Sequence, residues 1–361
     1  MGWSYIIGLN RKCKQLQKLH FRKEKSMNIY DISEKAGVSI ATVSRVLNGN
    51  ANVSEKTRKK VLDVMEKYGY TPNVFARGLG LNTMKTIGLL CTDSSNIFQA
   101  KAISYIEQLL HSAGYDSILC CSGYELESKT KCMNLLLNKK VDAIILISSH
   151  FVYGTEEQNQ YIVDAGKQVP VMILNGEVSA PNVYGVLTDD VACVYKAVAK
   201  LAKDGIRRIL HFYHSNSYSG KKKQEGYRKA VQEFGLESDE KLLQYYEASL
   251  QDIPKMAEYL LDLWNGGVKF DGVITSDDEL ALGAVKFARL AGLRIPDDLS
   301  VIGYSNSMLA TSGIMELTSV DIKLETICQH LISSLLRVFE GEEIPQQAVF
   351  NGELIERETT K

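Results

Sequence analysis

Residues 29–48 read IYDISEKAGVSIATVSRVLN, and this stretch decides how the chain begins to fold. Ile29, Ile32 and Ala36 recur at helical spacing, and Asn28 stands where a cap is needed. Gly37 ends the first helix, because glycine accepts the positive φ of a tight turn. Ser39 offers an oxygen to cap a second helix, whose Val43, Val46 and Leu47, with Val38 before it, can pack back on the first. Ile40, Ala41, Thr42, Ser44, Arg45 and Asn48 are left facing outward. The pattern is that of a helix-turn-helix, in which the second helix enters the major groove of DNA. An ordinary surface pair of helices has the same spacing, so the pattern needs support from the residues around it.

That support comes from residues 48–73, NGNANVSEKTRKKVLDVMEKYGYTPN. Ser54 and Glu55 open a third helix, Gly69 stops it and Pro72 breaks the chain beyond it. Val61, Leu62, Met65 and Tyr68 are the positions expected to close a small core.

The run VSIATVSRVLNGNANVSEKTRKKVLDVMEKYGYTPNVFARGL, residues 38–79, resembles the headpiece and hinge of the LacI/GalR family of bacterial transcription regulators. TIGLLCTDSSNIF (86–98), KKVDAIILIS (139–148), EGYRKAV (225–231), DELALGAVKFARLAGLRIPDDLSVIGY (278–304) and LTSVDI (317–322) continue the resemblance in order. It implies an α/β chain, with a helix-turn-helix headpiece over residues 27–72, a hinge over 73–84 and a two-lobed periplasmic-binding-protein-like core over 85–361. The N-lobe would hold 85–187 and 322–341, and the C-lobe 188–318 and 342–361, with the effector bound between them.

The resemblance also assigns residues. Ile40 and Ala41 take the base-contacting positions of the reading helix, where they can offer only apolar contact, for example to a thymine methyl. Arg45 can reach guanine O6 and N7 in bidentate fashion. Tyr30, Thr42, Ser44 and Asn48 suit phosphate contacts, which fix register without reading sequence. For Thr42 and Ser44 the alternative is plain surface hydration, and for Tyr30 a ring in the core. Asn73, Ala76 and Leu79 belong to a hinge helix in the minor groove, with Leu79 as the wedge between base pairs. Gly78 and Gly80 weaken that helix by about 1 kcal/mol each relative to alanine, so it is expected to form only on DNA.

In the cleft, Asp93, Ser94, Asn96 and Phe98 match the pocket loop after the first core strand. Asn175, Lys223, Ser276, Asp277 and Ser305 match further pocket positions, and each of Asn175, Lys223, Ser276 and Ser305 departs from the usual residue. Lysine at 223 is a point charge and lacks the fork of arginine. Ala248 falls where an aromatic lid often sits. Lys221, Lys222 and Lys223 form a basic run beside the cleft, suited to a phosphorylated ligand or an acidic or phosphorylated corepressor protein, or else to a solvated loop.

Size and charge fit this organisation. The 361 residues suffice for a headpiece and two lobes. Net charge is −1, yet residues 1–26 carry seven Lys/Arg against one Glu and residues 27–84 carry eight against five acids, which leaves −10 on the remainder. A basic end on an acidic body points that end toward a polyanion. Residues 1–26 precede the start of the resemblance; Met27 is the expected translation start, and a basic arm contacting phosphates is the alternative. The seven cysteines form no CxxC pair and no zinc spacing, which fits a reducing cytoplasm. Cys91, Cys120, Cys121 and Cys193 sit in apolar runs as small hydrophobes.

From residue 85 onward, TIGLLC, SILCC, DAIILIS, VPVMIL, RRILHF, DGVITS and LSVIGY read as buried parallel strands alternating with helices, a doubly wound α/β pattern. No run is long and apolar enough to span a membrane. An enzyme would need a nucleophile–base set or metal ligands, but no GxSxG, P-loop or metal spacing occurs, and the six histidines are scattered. A periplasmic solute binder would need an export signal and no headpiece. The expected protein is a cytoplasmic, DNA-binding regulator without a cofactor, acting as a homodimeric repressor on near-palindromic duplex DNA and responding to a sugar, phosphosugar or similar effector.

Overall fold

The computed structural model describes residues 27–47, 52–70, 83–247 and 252–361. The chain divides into a small unit up to Met84 and a large unit from Lys85.

Among its described residues the small unit holds three helices, α1 (Ile29–Ala36), α2 (Ile40–Leu47) and α3 (Glu55–Lys67). Asn28 caps α1 through its side chain, and Asp31 returns a hydrogen bond to the Asn28 amide, completing a capping box. Gly37 ends α1 at φ 58°, a left-handed turn that a β-carbon would strain. Ser39 Oγ accepts from the Thr42 amide at 3.2 Å and opens α2. Ile32, Ala36, Val43, Val46, Val53, Val61 and Met65 are buried together, with Val38, Leu47, Val64 and Tyr70 half-buried against them. Two of the expected core positions are elsewhere. Leu62 is exposed, one residue round α3 from the buried Val61. Tyr68 lies beyond the last turn of α3 and is exposed, with Lys35 Nζ 4.7 Å from its ring centre.

The large unit consists of two six-stranded sheets flanked by helices. Its N-lobe strands are β1 (Thr86–Cys91), β2 (Asp116–Cys121), β3 (Ala143–Leu146), β4 (Val171–Leu174), β5 (Val183–Thr188) and, from the chain's far end, β11 (Gln347–Phe350). They lie parallel in the order β11-β5-β4-β3-β1-β2. The C-lobe strands are β6 (Ile209–Tyr213), β7 (Leu243–Tyr245), β8 (Gly272–Thr275), β9 (Ser300–Tyr304), β10 (Thr318–Asp321) and β12 (Glu353–Ile355). Their order is β12-β10-β9-β8-β6-β7, parallel except for β12.

Helices cover both faces of each sheet, as parallel strands require. On the N-lobe, α4 (Ile97–Ser112) packs with α12 (Leu324–Phe339), and α5 (Leu126–Asn138) with α6 (Glu156–Gly166). On the C-lobe, α7 (Asp190–Lys203) packs with α8 (Tyr218–Glu233), and α9 (Ile253–Asn265) with α10 (Asp278–Ala291). The short α11 (Leu309–Ser312) follows β9.

The seven expected strands are all present, and the first two lobe crossings fall where the sequence suggests. The third does not. Residues 342–350 were assigned to the C-lobe, whereas Gln347–Phe350 pairs in register with β5 of the N-lobe. The last crossing is therefore at residues 351–352. This strand is short and half-exposed, so apolar patterning does not announce it. The thiols also divide: Cys91 and Cys193 are buried, but Cys120 is half-buried and Cys121 exposed on the edge strand β2.

Ile32 is wholly buried in a core of seven residues. Ile32→Ala should cost the headpiece about 2–5 kcal/mol, read as loss of amide-exchange protection across α1–α3 in the intact chain. Unchanged protection would show that this side chain does not hold the three helices together.

Candidate functional site

Two regions carry exposed or cavity-lining chemistry. The first is the outer face of α2. Its inner face is sealed by Val43 and Val46, which fixes what the other face presents. Ile40, Ala41 and Arg45 are exposed there, while Thr42 and Ser44 are half-buried. The Thr42 hydroxyl lies 2.9 Å from Ser39 Oγ and is thus partly engaged in the cap. Tyr30 is 67% exposed at the start of α1, so it is not a core ring. Asn48, Asn73, Ala76, Leu79 and Ala248 lie outside the described residues, as do residues 1–26.

The second region is a cavity of about 1050 Å³ between the two lobes of the large unit. Its walls are the loops at the carboxyl ends of the central strands, where doubly wound sheets place their crevices. The N-lobe contributes Asp93 and Asn96 after β1, Tyr124 after β2, Lys129 on α5, and His150 and Tyr153 after β3. The C-lobe contributes His214 to Tyr218 after β6, Lys221 and Lys222 on α8, Tyr245 and Tyr246 at β7, and Glu279 on α10. Gly220 lets α8 begin against this loop, because a β-carbon there would lie 2.1 Å from the Ser215 carbonyl.

Asp93 spends one carboxylate oxygen on Ser95, accepting from its amide at 2.8 Å and its hydroxyl at 2.7 Å. Asn96 spends its side-chain oxygen on the Gln99 amide. His150 Nε2 lies 3.2 Å from Ser215 Oγ across the cleft, and burial pushes its pKa down to about 4, so the ring is neutral at pH 7. His214 Nδ1 is 2.7 Å from Asp277 Oδ2. Burial raises the Asp277 carboxyl, but His214, the Leu280 amide and Ser276 outweigh it and leave the carboxyl below its usual range. Burial lifts Glu279 to about 8, with the nearby Asp277 adding to the effect. Glu279 is therefore mostly an uncharged acid at neutral pH.

Of the cleft residues expected from sequence, only Asp93 and Asn96 line this cavity. Ser94 is exposed beside it. Phe98 packs half-buried against apolar clusters of both lobes rather than offering a stacking face. Asn175, Lys223, Ser276, Asp277 and Ser305 belong to the polar floor beneath. Asn175 donates to Ser219 Oγ at 3.2 Å and accepts from the Thr188 amide. Lys223 donates to the Ser276 carbonyl at 2.8 Å and lies 3.7 Å from the centre of the Tyr304 ring. Asp277 caps α10. Ser305 turns the chain at φ 94° and donates its amide to the Val320 carbonyl. Asn175, Lys223, Ser276 and Asp277 are thus tied to neighbouring groups, Lys223 and Ser276 being buried and Asn175, Asp277 and Ser305 partly buried. The basic run divides accordingly: Lys221 is exposed, Lys222 half-buried and Lys223 buried. Among the described residues no group of His, Cys, Asp and Glu is placed to hold a metal ion, and no helix is long and apolar enough to cross a membrane.

Sequence motifs do not mark Tyr124, Lys129, His150, Tyr153, His214, Tyr245 or Tyr246. Their common signal is position, at or shortly after the carboxyl end of a strand. His211, by contrast, is wholly buried within β6, stacked near Tyr213 and Tyr227.

The profile of bacterial regulatory proteins of the lacI family matches residues 28–73, and that of a periplasmic binding protein-like domain matches residues 198–360. An HTH-type transcriptional regulator of Lachnoclostridium phytofermentans is 51% identical over 334 residues, covering 92% of this chain and 99% of that protein. A solved complex of the transcriptional regulator CelR with cellobiose is 25% identical, covers 92% of this chain and 99% of its own, and superposes with a TM-score of 0.66. The lac repressor dimer bound to operator and the anti-inducer ONPF shares the fold, with a TM-score of 0.79 at 23% identity over 93% of this chain and 99% of that one. Half-identity along nearly the whole of a transcription regulator, joined to the headpiece match, decides the matter: the chain belongs to the lacI family of bacterial regulatory proteins, which are transcription regulators and not enzymes.

Proposed function

We propose that this regulator is a cytoplasmic repressor that binds a near-palindromic operator as a homodimer and is switched by a saccharide-type effector in the inter-lobe cleft. One observation carries the DNA-binding part: α2 is held by its buried valines so that Ile40, Ala41 and Arg45 face out from a capped, rigid helix pair. One such helix covers a half-site, so two copies are required for the full operator. Arg45 reads a guanine, and Ile40 and Ala41 contribute apolar contact to bases. Tyr30, Thr42, Ser44 and Asn48 set the register on phosphates. Asn73, Ala76 and Leu79 act in the minor groove, where Leu79 opens a base step at a cost of a few kcal/mol that added contacts offset.

The effector part rests on the cavity at the carboxyl ends of both sheets, and on cellobiose in the complex of the related regulator CelR. Rotation of the lobes would set the spacing of the two hinges and so the strength of operator binding. An acidic or phosphorylated corepressor protein is the second reading, favoured by Lys221 standing exposed at the cleft.

Chromatin pull-down followed by gel shift on the recovered fragments tests the whole proposal. Specific retention at physiological salt is expected, and a dimer with no preference over random competitor would overturn it. Arg45→Ala should cost about 1–3 kcal/mol of operator affinity and relax specificity at one base position. Equal operator affinity for both forms would remove Arg45 from base reading. Leu79→Ala should weaken operator binding more than non-specific binding, as measured by parallel titrations on operator and random duplex; equal losses contradict a wedge.

A further inference from the structure

Lys129 is 2% exposed, yet it lines the inter-lobe cavity. Its ammonium donates to the His150 carbonyl at 2.7 Å and to Tyr153 Oη at 2.7 Å. An ammonium carries three N–H groups, so one remains to be placed. The Tyr153 and Phe151 rings lie 4.5 and 5.6 Å away and help to solvate the charge without neutralising it. No carboxylate of the described residues stands within ion-pair distance of Lys129. Glu125, at the start of the same helix, acts on it only from further off. Burial therefore wins and lowers the Lys129 pKa to about 8, which still leaves it charged at neutral pH.

Buried charges are ordinarily paired, because stripping water from an ion is costly. The surroundings of Lys129 are also fixed. Asn159 holds the Tyr153 backbone by two hydrogen bonds, of 2.8 and 2.9 Å, and Tyr124 packs edge-on to His150 at 5.0 Å. The rest of the cavity does not supply the missing anion. None of its acids forms an ion pair with Lys129: Asp93 gives one oxygen to Ser95, Glu225 pairs with Lys222 at 3.2 Å, Glu279 is mostly protonated, and Glu247 is exposed at the end of the C-lobe wall. Lys221 adds a second cation from the opposite lobe, without an ion-pair partner among the described residues. On that same lobe Tyr246 is 5% exposed in the core, and its hydroxyl has no hydrogen-bond partner among the described residues. A cavity with an ammonium lacking an ion-pair partner on one wall and the Lys221 cation on the other suits a ligand that brings an anionic group.

We infer that the cleft takes an acidic saccharide, a sugar bearing a carboxylate or a phosphate, whose anionic group pairs with Lys129. This rests on the reading of the cleft as the effector site and narrows its ligand. Tyr124, Tyr153 and Tyr245 supply flat apolar faces for sugar rings, and Lys129 separates charged sugars from uncharged ones.

The test is calorimetric titration of the full-length protein with galacturonate, digalacturonate and glucose 6-phosphate, each set against galactose, cellobiose or glucose. At least one acidic probe should bind at least tenfold more tightly than its neutral counterpart, and the uronate and phosphate arms show which anion is used. Lys129→Met should weaken that probe at least tenfold, whereas Lys129→Arg, which keeps the charge, should stay within about threefold of the parent protein. Thermal melts of both variants separate a lost ligand contact from a lost fold. Neutral sugars binding as tightly as the acidic ones, or Lys129→Met binding the acidic probe like the parent protein, overturns the inference while leaving a saccharide effector in place. Binding of no saccharide of either kind overturns the effector reading itself, and the inference with it.

Discussion

The buried carboxylate of Asp190 organises the junction on which the two-lobed core depends. It lies at the start of α7, just after the chain first leaves the N-lobe, and it is 3% exposed. Ser219 donates to it at 2.6 Å, Tyr304 through its hydroxyl, and Asn175 reaches it at 3.5 Å. Burial pushes Asp190 up and Lys223 down, and the two face opposite parts of Tyr304, one its hydroxyl and the other its ring. A buried acid and ammonium of this kind are tolerated only when their neighbours are held in fixed positions. Four elements, the ends of β4 and β9 and the first turns of α7 and α8, are thereby fixed relative to one another. The loops that wall the cavity spring from this platform.

The same network explains why the headpiece was legible in the sequence and the cleft only in part. Helix caps and glycine stops are local signals: Asn28, Gly37, Ser39 and Ser54 each act within a few residues and do what their types suggest. Seven of the parallel strands are equally plain, because two covered faces demand uninterrupted apolar runs, whereas β5 and β10 carry polar residues or glycine within theirs and are not. Polar pocket residues have no such local rule. Asn175 and Lys223 have the side chains that a ligand site uses, but they bond partners 13 to 53 residues away in sequence. Which polar group satisfies which is a tertiary fact. Leu62 shows the same limit in the headpiece, since one step around a helix separates a buried position from an exposed one. The edge strands β11 and β12 were hidden for another reason: each is only three or four residues long and partly exposed, so neither presents an apolar run.

The chemistry of the cleft is thus layered. Beneath lies a floor of groups tied to one another by hydrogen bonds, among them Asn175, Asp190, Ser219, Lys223 and Ser276. Above it stand tyrosines and histidines from the loops after the strands, with lysines from the first turns of α5 and α8. Specificity can therefore change by substitution in the upper layer while the junction stays intact. Resemblance through the floor residues alone says little about which ligand is held.

The chain passes between the lobes three times, and the passages lie side by side. The Asp189 amide donates to the Phe350 carbonyl at 2.8 Å, and a β-carbon on Gly352 would lie 3.0 Å from the Asp321 carbonyl. A lone connector would let one lobe swivel and tumble against the other. Three connectors laced edge to edge behave instead like the leaf of a door, which resists twisting and swings about a single axis. Whatever occupies the jaw is then converted into one angle, and one angle is the simplest quantity that a body can hand on to the segment preceding it.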